Sequence, residues 1–338
     1  MINYADIVIG LSYGDEGKGK VTNTFLKRGG YSHCIRFNGG HNAGHTIMKD
    51  SKKIITHVVP TGVVQGVKSI IGPGCVVSPA LLSEEIQDLK KSGLEVKGKL
   101  FIDKRVNFIT SQHLAEDGKD EKIGTTKRGN GPAYRDKYAR KNIRFGDFEH
   151  WDEEEFQLID IYEELHETET ESTILMEGAQ AFGLDIDWGD YPYVTSSHCG
   201  VAGALQNGIP ASKLRNVYGV CKAYDTYVGA KKFEDEDPIF SKIRKVGNEF
   251  GATTGRPRQV GYLDLDLLVK SARINGVTHL IVNKFDVLKE LDVWKVKEGG
   301  YVKELSTPVT FTQYVNQTLI KKVSTLRNIV YSSSPNDI

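Results

Sequence analysis

The sequence predicts an α/β protein with a largely parallel central sheet. Short, wholly apolar runs recur along the chain, and the segments between them carry apolar residues at helical spacing. Runs without polar alternation suit strands covered on both faces, as parallel strands are, and strand–helix alternation builds such sheets. In chain order, Ala5–Leu11, His33–Phe37, Lys68–Ile71, Leu100–Ile102, Ser172–Met176, Val217–Ala223 and Thr278–Val282 read as buried strands. Gly17–Lys27, Ala80–Lys91, Glu153–Leu165, Pro238–Val246 and Leu265–Asn275 read as helices with one apolar stripe. The acidic stretch Asp152–Glu171 places Phe156, Leu158, Ile159, Ile161, Tyr162 and Leu165 at helical spacing, so it reads as a solvated helix and not a disordered tail. No repeat or low-complexity linker interrupts the chain, and residues 1–338 read as a single large domain with a mostly parallel central sheet.

Charge narrows the function classes. Lys+Arg and Asp+Glu both number 44, and a net charge of zero argues against non-specific nucleic-acid or membrane-surface binding. An anionic ligand must therefore meet a local cluster of positive groups. The cysteines Cys34, Cys75, Cys199 and Cys221 lack metal-site spacing and read as thiols in a reducing compartment. The N-terminal residues run straight into an apolar strand with no basic leader or cleavage site, and no run approaches a membrane span. These features predict a cytosolic protein that binds neither nucleic acid nor membrane.

After the first strand comes GLSYGDEGKGK, Gly10 to Lys20, and then a helix. A glycine turn between strand and helix N-terminus makes an anion site, because free N–H groups and the helix dipole face the loop. Lys18 adds a point charge for phosphate, flanked by Gly17 and Gly19. The pattern is not the standard P-loop: Ser12 stands where a glycine would, and Gly19 where the Mg²⁺-binding hydroxyl would. Asp15 is the carboxylate available inside the loop. Such a turn can also be tight packing alone, but Asp15, Glu16 and Lys18 among the glycines favour a binding loop.

GDEGKGK followed by FNGGHNAGHT (Phe37–Thr46) resembles the adenylosuccinate synthetase family. The resemblance continues through IGTTKRGNGPAYRDKYAR (Ile123–Arg140), EGAQAFGLDIDWGDYPYVTSS (Glu177–Ser197), KAYDTYVGA (Lys222–Ala230), GATTGRPRQVGYLD (Gly251–Asp264) and NKFDVL (Asn283–Leu288). It implies a P-loop-like, GTP-dependent ligase that phosphorylates O6 of a purine nucleotide and displaces the phosphate with L-aspartate. It further implies Asp15 as base and Mg²⁺ ligand, the Gly44 carbonyl completing the metal site, His45 as the acid, and Lys18 and Gln180 in the catalytic set. Asn42, Thr125, Thr126, Gln180, Leu184, Thr195 and Val228 would hold the substrate nucleotide. Arg140 would reach into a neighbouring subunit's site, making a homodimer; read by itself it is equally a surface ion-pair residue in the basic run Arg135, Lys137, Arg140, Lys141.

GATTGRPRQ has the makings of a dicarboxylate site, since two arginines two residues apart can fork onto carboxylates. The resemblance assigns Thr254, Arg256 and Arg258 to L-aspartate. NKFD follows a predicted strand and looks like a guanine reader, with Asp286 accepting from the base and Lys284 against the ring. The C-terminal YSSSPNDI, with Ser332 and Ser334, takes the place of the family's second guanine-contacting loop.

Departures from the family pattern are Ser12-Tyr13 for the usual Gln-Trp, Tyr227 for the usual Arg, Ser334 for Gly, and Asn336-Asp337 for Asp-Arg. The chain is also shorter than typical bacterial members. The family's compact viral branch acts on dGMP and often uses ATP, commonly with Ser in place of the loop aspartate. Asp15 and NKFD favour IMP and GTP, with dGMP as the alternative substrate and a non-catalytic GTP-binding paralogue as the alternative class.

Overall fold

The structure, a computed structural model, describes residues 1–50, 52–148, 150–251, 255–334, 336 and 338. Nine strands form its main sheet: β1 (Ile2–Gly10), β2 (His33–Arg36), β3 (Lys68–Ile71), β4 (Leu100–Asp103), β5 (Gln157–Ile159), β6 (Ser172–Glu177), β7 (Leu214–Lys222), β8 (His279–Asn283) and β9 (Asn328–Tyr331). Their order is β9-β8-β7-β1-β6-β2-β3-β4-β5, and every neighbouring pair is parallel. All seven expected strands are present within a few residues. The unbroken apolar runs have the predicted cause: Ile7, Val8 and Ile9 on central β1 are fully buried, so residues on both faces are covered.

The helix Lys18–Arg28 follows β1 directly, with Lys27 and Arg28 in its last turn to complement the dipole. Pro79–Lys91 starts at a proline after Ser78, whose hydroxyl accepts from the Leu81 amide at 3.4 Å. Asp264 caps Leu265–Ile274 in the same way through two amides. Among the described residues no helix is long and apolar enough to cross a membrane.

The acidic stretch folds differently from its periodicity. In place of one helix over Glu153–Leu165 the chain makes edge strand β5, paired with β4, and then a short helix Ile161–His166. Two aspartates break the longer helix by bonding their own backbone: Asp152 accepts from the Glu154 amide and Asp160 from the Tyr162 amide. Arg105 grips Asp160 through both oxygens at 2.8 and 2.9 Å. Phe156, Ile161 and Leu165 are buried, so the segment belongs to the sheet's edge. Also beyond the sequence reading are β9, the capped helix Pro308–Lys322, and a four-stranded sheet of Tyr224–Tyr227, Gln259–Asp264, Lys295–Glu298 and Tyr301–Glu304.

Loops at the carboxyl edge are bolted together. The Val76 amide donates to Gly39 O at 3.0 Å, and Tyr134 Oη bonds the Gly39 amide, its carbonyl and the Gly74 carbonyl. A Cβ on Gly74 would sit 1.9 Å from the Phe37 carbonyl oxygen, which is backbone and cannot swing away. Gly74→Ala should therefore lose about 1–3 kcal/mol of stability, as overpacked sites do, and lower the thermal midpoint by calorimetry. An unchanged midpoint would mean that the loop has slack.

Candidate active site

Above the carboxyl edge lies a cavity of about 1020 Å³. Its floor is the phosphate loop. Gly14, Asp15 and Gly17 all have positive φ (95°, 58° and 93°), which curls the loop over the start of the Lys18–Arg28 helix. Glu16 points inward, buried, and accepts from the Gly14 amide at 2.7 Å and from Lys18 Nζ at 2.6 Å. A side chain on Gly10 would collide with Glu16 Oε2 at 2.6 Å, and one on Gly19 with His45 Cβ at 2.7 Å. The glycine where a P-loop has its hydroxyl is thus the seat for His45.

His45 opens the hairpin His45–Lys49 and Lys52–Thr56 and is buried. Its Nδ1 lies 2.5 Å from Glu177 Oε1, so the proton sits on that side and Nε2 is left for the cavity. Glu177, at the end of β6, also accepts from the Thr61 amide at 2.8 Å, the Thr61 hydroxyl at 2.6 Å and Arg36 at 3.3 Å. Burial and the Arg36 guanidinium push His45 down to about 4. Burial alone would raise Glu177, but Arg36 and His45 outweigh it and hold the carboxyl at about 2. His41 is buried too, accepts from the Ser78 amide and lies at about 3, which fits a structural residue.

The cavity wall gathers the expected nucleotide residues. Asn42 Oδ1 accepts from Gln180 Nε2 and Asn130 Nδ2, both at 3.0 Å. Gln180 adopts φ 56°, and its buried Oε1 has no partner among the described residues. Thr125 and Thr126 follow Gly124, whose Cβ would meet the Ala230 amide nitrogen at 2.8 Å. Leu184, Thr195 and Val228 line the same space, with the Thr195 amide donating to Leu184 O at 2.8 Å. Tyr13 packs edge-on against Tyr227 and Phe233, and its hydroxyl donates to Asp190 at 3.1 Å. The departures at Tyr13 and Tyr227 are therefore one aromatic cluster on the wall.

Opposite the loop are Arg256 and Arg258. Arg258 Nε lies 2.8 Å from Asp15 Oδ2, and its Nη1 donates to Glu249 at 2.6 Å. Thr254 falls outside the described residues. Gly44 lines the cavity beside His45.

Five expected residues are not on the cavity wall. Arg140 is exposed after the helix Asn130–Tyr138, at φ 60°, with no side-chain partner among the described residues, while Arg135 pairs with Glu116 and Asp136. Lys284 donates to Gly247 O at 2.7 Å, and Asp286 is exposed at the start of helix Phe285–Leu291. Ser332 and the Ser334 carbonyl accept from Lys20 at 2.8 and 2.9 Å, and the Phe285 amide donates to Ser332 O. These four residues thus lie together at the ends of β8 and β9, beside the phosphate loop.

Sequence reading missed Arg36, Glu177, Lys222 and Glu249, all buried and all ion-paired around the cavity. Three of them close strands, in CIR, LME and GVCK. A lone charge ending an apolar run was the available signal.

A phosphate-binding loop, a buried acid–histidine pair and an arginine pair around one cavity define an enzyme that transfers phosphoryl groups on a nucleotide. The adenylosuccinate synthetase family model matches residues 7–168 and 155–306. Adenylosuccinate synthetase of Xylella fastidiosa strain 9a5c is 39% identical over 86% of this chain and 79% of its own. That of Cytophaga hutchinsonii is 39% identical over 89% and 82%. The fully ligated Plasmodium falciparum adenylosuccinate synthetase superposes with a TM-score of 0.85 at 27% identity, over 99% of this chain and 98% of that one. The cyanophage S-2L succinoaminodeoxyadenylate synthetase, bound to dGMP and dATP, has a TM-score of 0.72 at 20% identity over 94% and 100%, a likeness of fold. This chain belongs to the adenylosuccinate synthetase family; adenylosuccinate synthetase is a GTP-dependent ligase that forms the C–N bond between aspartate and IMP.

Acid should weaken the fold through His45 with a definite sign. Between pH 6.5 and about 4 the unfolded chain takes up a proton that the folded histidine does not, so stability falls as pH falls. Urea midpoints measured across that window should decline, and His45→Gln should make the decline shallower, with His41, His33 and His279, which burial also holds below the ordinary value, contributing to what remains. An equal slope in the variant would mean that His45 is protonated in the fold.

Proposed function

We propose that this chain converts IMP, L-aspartate and GTP into adenylosuccinate, GDP and phosphate. The reading is carried by one observation: Asp15, His45 and Arg258 converge on a single cavity with the phosphate loop. Asp15 removes the proton from N1 of the base, so that O6 attacks the γ-phosphorus and GDP leaves. His45, oriented by Glu177 with Nε2 toward the cavity, donates to the transferring phosphoryl group. The anion itself restores the proton affinity that burial and Arg36 take away. The aspartate amine then attacks C6 and phosphate departs. Gln180, whose Oε1 lacks a partner, and Asn42 hold the base, while Thr125, Thr126 and Thr195 take the 5′-phosphate. Leu184 and Val228 border the nucleotide on the same wall.

Arg256 and Arg258 receive the carboxylates of L-aspartate, with Thr254 assigned to the same loop. Gly17, Lys18 and Gly19 hold the GTP phosphates, and Lys284, Asp286, Ser332 and Ser334 the guanine end, just outside the cavity. Hard oxygen donors suited to Mg²⁺ are in place: the Asp15 carboxylate is about one-third exposed, and Gly44 lines the same space. Bound there, Mg²⁺ would neutralise charge on the transferring phosphate. The four buried free thiols suit a reducing cytosol.

The test is phosphate release with aspartate and Mg²⁺, crossing IMP and dGMP against GTP and ATP, with product masses. Preference for IMP with GTP is expected, and Asp15→Asn should cut kcat by about 10²–10⁴, the usual weight of a general base, while nucleotide still binds. Full activity in that variant would sink the base assignment. The aromatic cluster of Tyr13, Tyr227 and Phe233 supports a second reading in which the wall admits a 2-aminopurine; faster turnover of dGMP would establish it.

Arg140, exposed and outside its own cavity, supports a homodimer in which it completes the neighbouring site. Arg140→Leu and Asp15→Asn, each inactive alone, should regain up to a quarter of wild-type activity when mixed, roughly the share of intact sites expected from random pairing. No recovery despite subunit exchange, followed by mass, would refute sharing.

A further inference from the structure

Arg258 stands between two carboxylates of very different character. Toward the cavity its Nε lies 2.8 Å from Asp15, whose side chain is 34% exposed and whose backbone sits in the left-handed region. On the other side Nη1 donates at 2.6 Å to Glu249 Oε2, which is fully buried. Glu249 cannot move. Its Oε1 accepts from Tyr224 Oη at 2.6 Å and Lys222 Nζ at 3.1 Å, its carbonyl accepts the Arg258 amide at 3.0 Å, and its own amide donates to Arg244 O. Two residues back, Gly247 O is held by Lys284. Lys222 is itself fixed by Thr226 Oγ1 at 2.5 Å.

We infer that Glu249 is the positioning residue for Arg258: it pins one edge of the guanidinium permanently and leaves the other edge exchangeable between Asp15 and the carboxylate of the incoming amino acid. An arginine's planar fork presents two such edges, and a carboxylate satisfies one. With Glu249 immobile and Asp15 partly solvated, the arriving carboxylate displaces Asp15. The exchange keeps Arg258 paired throughout, and it releases Asp15 toward the nucleotide only when the amino acid is present. This inference rests on the reading that Arg258 receives the amino acid; Glu249 itself touches no substrate and acts through the arginine.

Glu249→Gln keeps the shape and removes the charge. Its KM for L-aspartate should rise by about tenfold or more, the usual scale when a buried charge partner is lost, while KM for GTP and for the nucleotide stays within about twofold. Glu249→Asp, which restores the charge one methylene shorter, should recover part of the loss. Because Glu249→Gln leaves the Lys222 ammonium facing a neutral amide, the double variant Glu249→Gln/Lys222→Met is measured beside it. It should fold with a thermal midpoint near wild type and still bind aspartate weakly. Recovery of wild-type aspartate KM in the double variant would show that Glu249 merely neutralises Lys222, overturning the proposal. An aspartate KM unmoved by Glu249→Gln, or all three KM values rising together, would overturn it too. Arg258→Leu separates the two readings. If it weakens aspartate and Glu249→Gln does not, the positioning role fails alone; if neither does, the amino acid does not sit at Arg258.

Discussion

Five adjacent strands bring their carboxyl ends together behind the phosphate loop, and the residues that close them are Asn283, Lys222, Gly10, Glu177 and Arg36. Four are buried polar or charged groups, and burying charge is costly unless each finds a partner. The centre of the row is a glycine because Glu16 folds back into that place, 2.6 Å from where a Cβ would be. Glu16 holds Lys18, Asn283 holds the Glu16 carbonyl at 2.6 Å, and the phosphate loop takes its shape from both.

Two ionic clusters flank that loop. On one side Arg36, Glu177, Thr61 and His45 share a carboxylate, and the histidine's free nitrogen is aimed by what the other nitrogen bonds. On the other, Lys222, Glu249, Arg258 and Asp15 form a chain of alternating charge, and Tyr224 donates to Glu249. Each cluster has a buried inner half and an outer member that lines the cavity. The fold can therefore gather several cations around one cavity without a basic surface, which agrees with a net charge of zero.

Sequence and structure agree where the information is local. An apolar run of four to nine residues between turns suits a covered strand, and GDEGKGK declares a tight loop because its glycines at positive φ supply dihedrals that side chains rarely adopt. Fifteen expected site residues, drawn from several segments, line one cavity. The acidic stretch misled because its apolar spacing suits a helix as well as a strand beside a turn. Asp152 and Asp160 decide the matter through bonds to their own backbone, and β4 offers the edge that β5 joins.

The sequence by itself determined the α/β class, the glycine-rich loop and the family, because these are written in contiguous motifs whose backbone demands are local. Only the tertiary structure decided which carboxylate partners which cation. Arg36 and Glu177 are 141 residues apart and meet at 3.3 Å. A buried ion pair has no periodicity and no motif; it exists only once parallel strands set distant chain segments side by side in a medium that will not tolerate an unpaired charge.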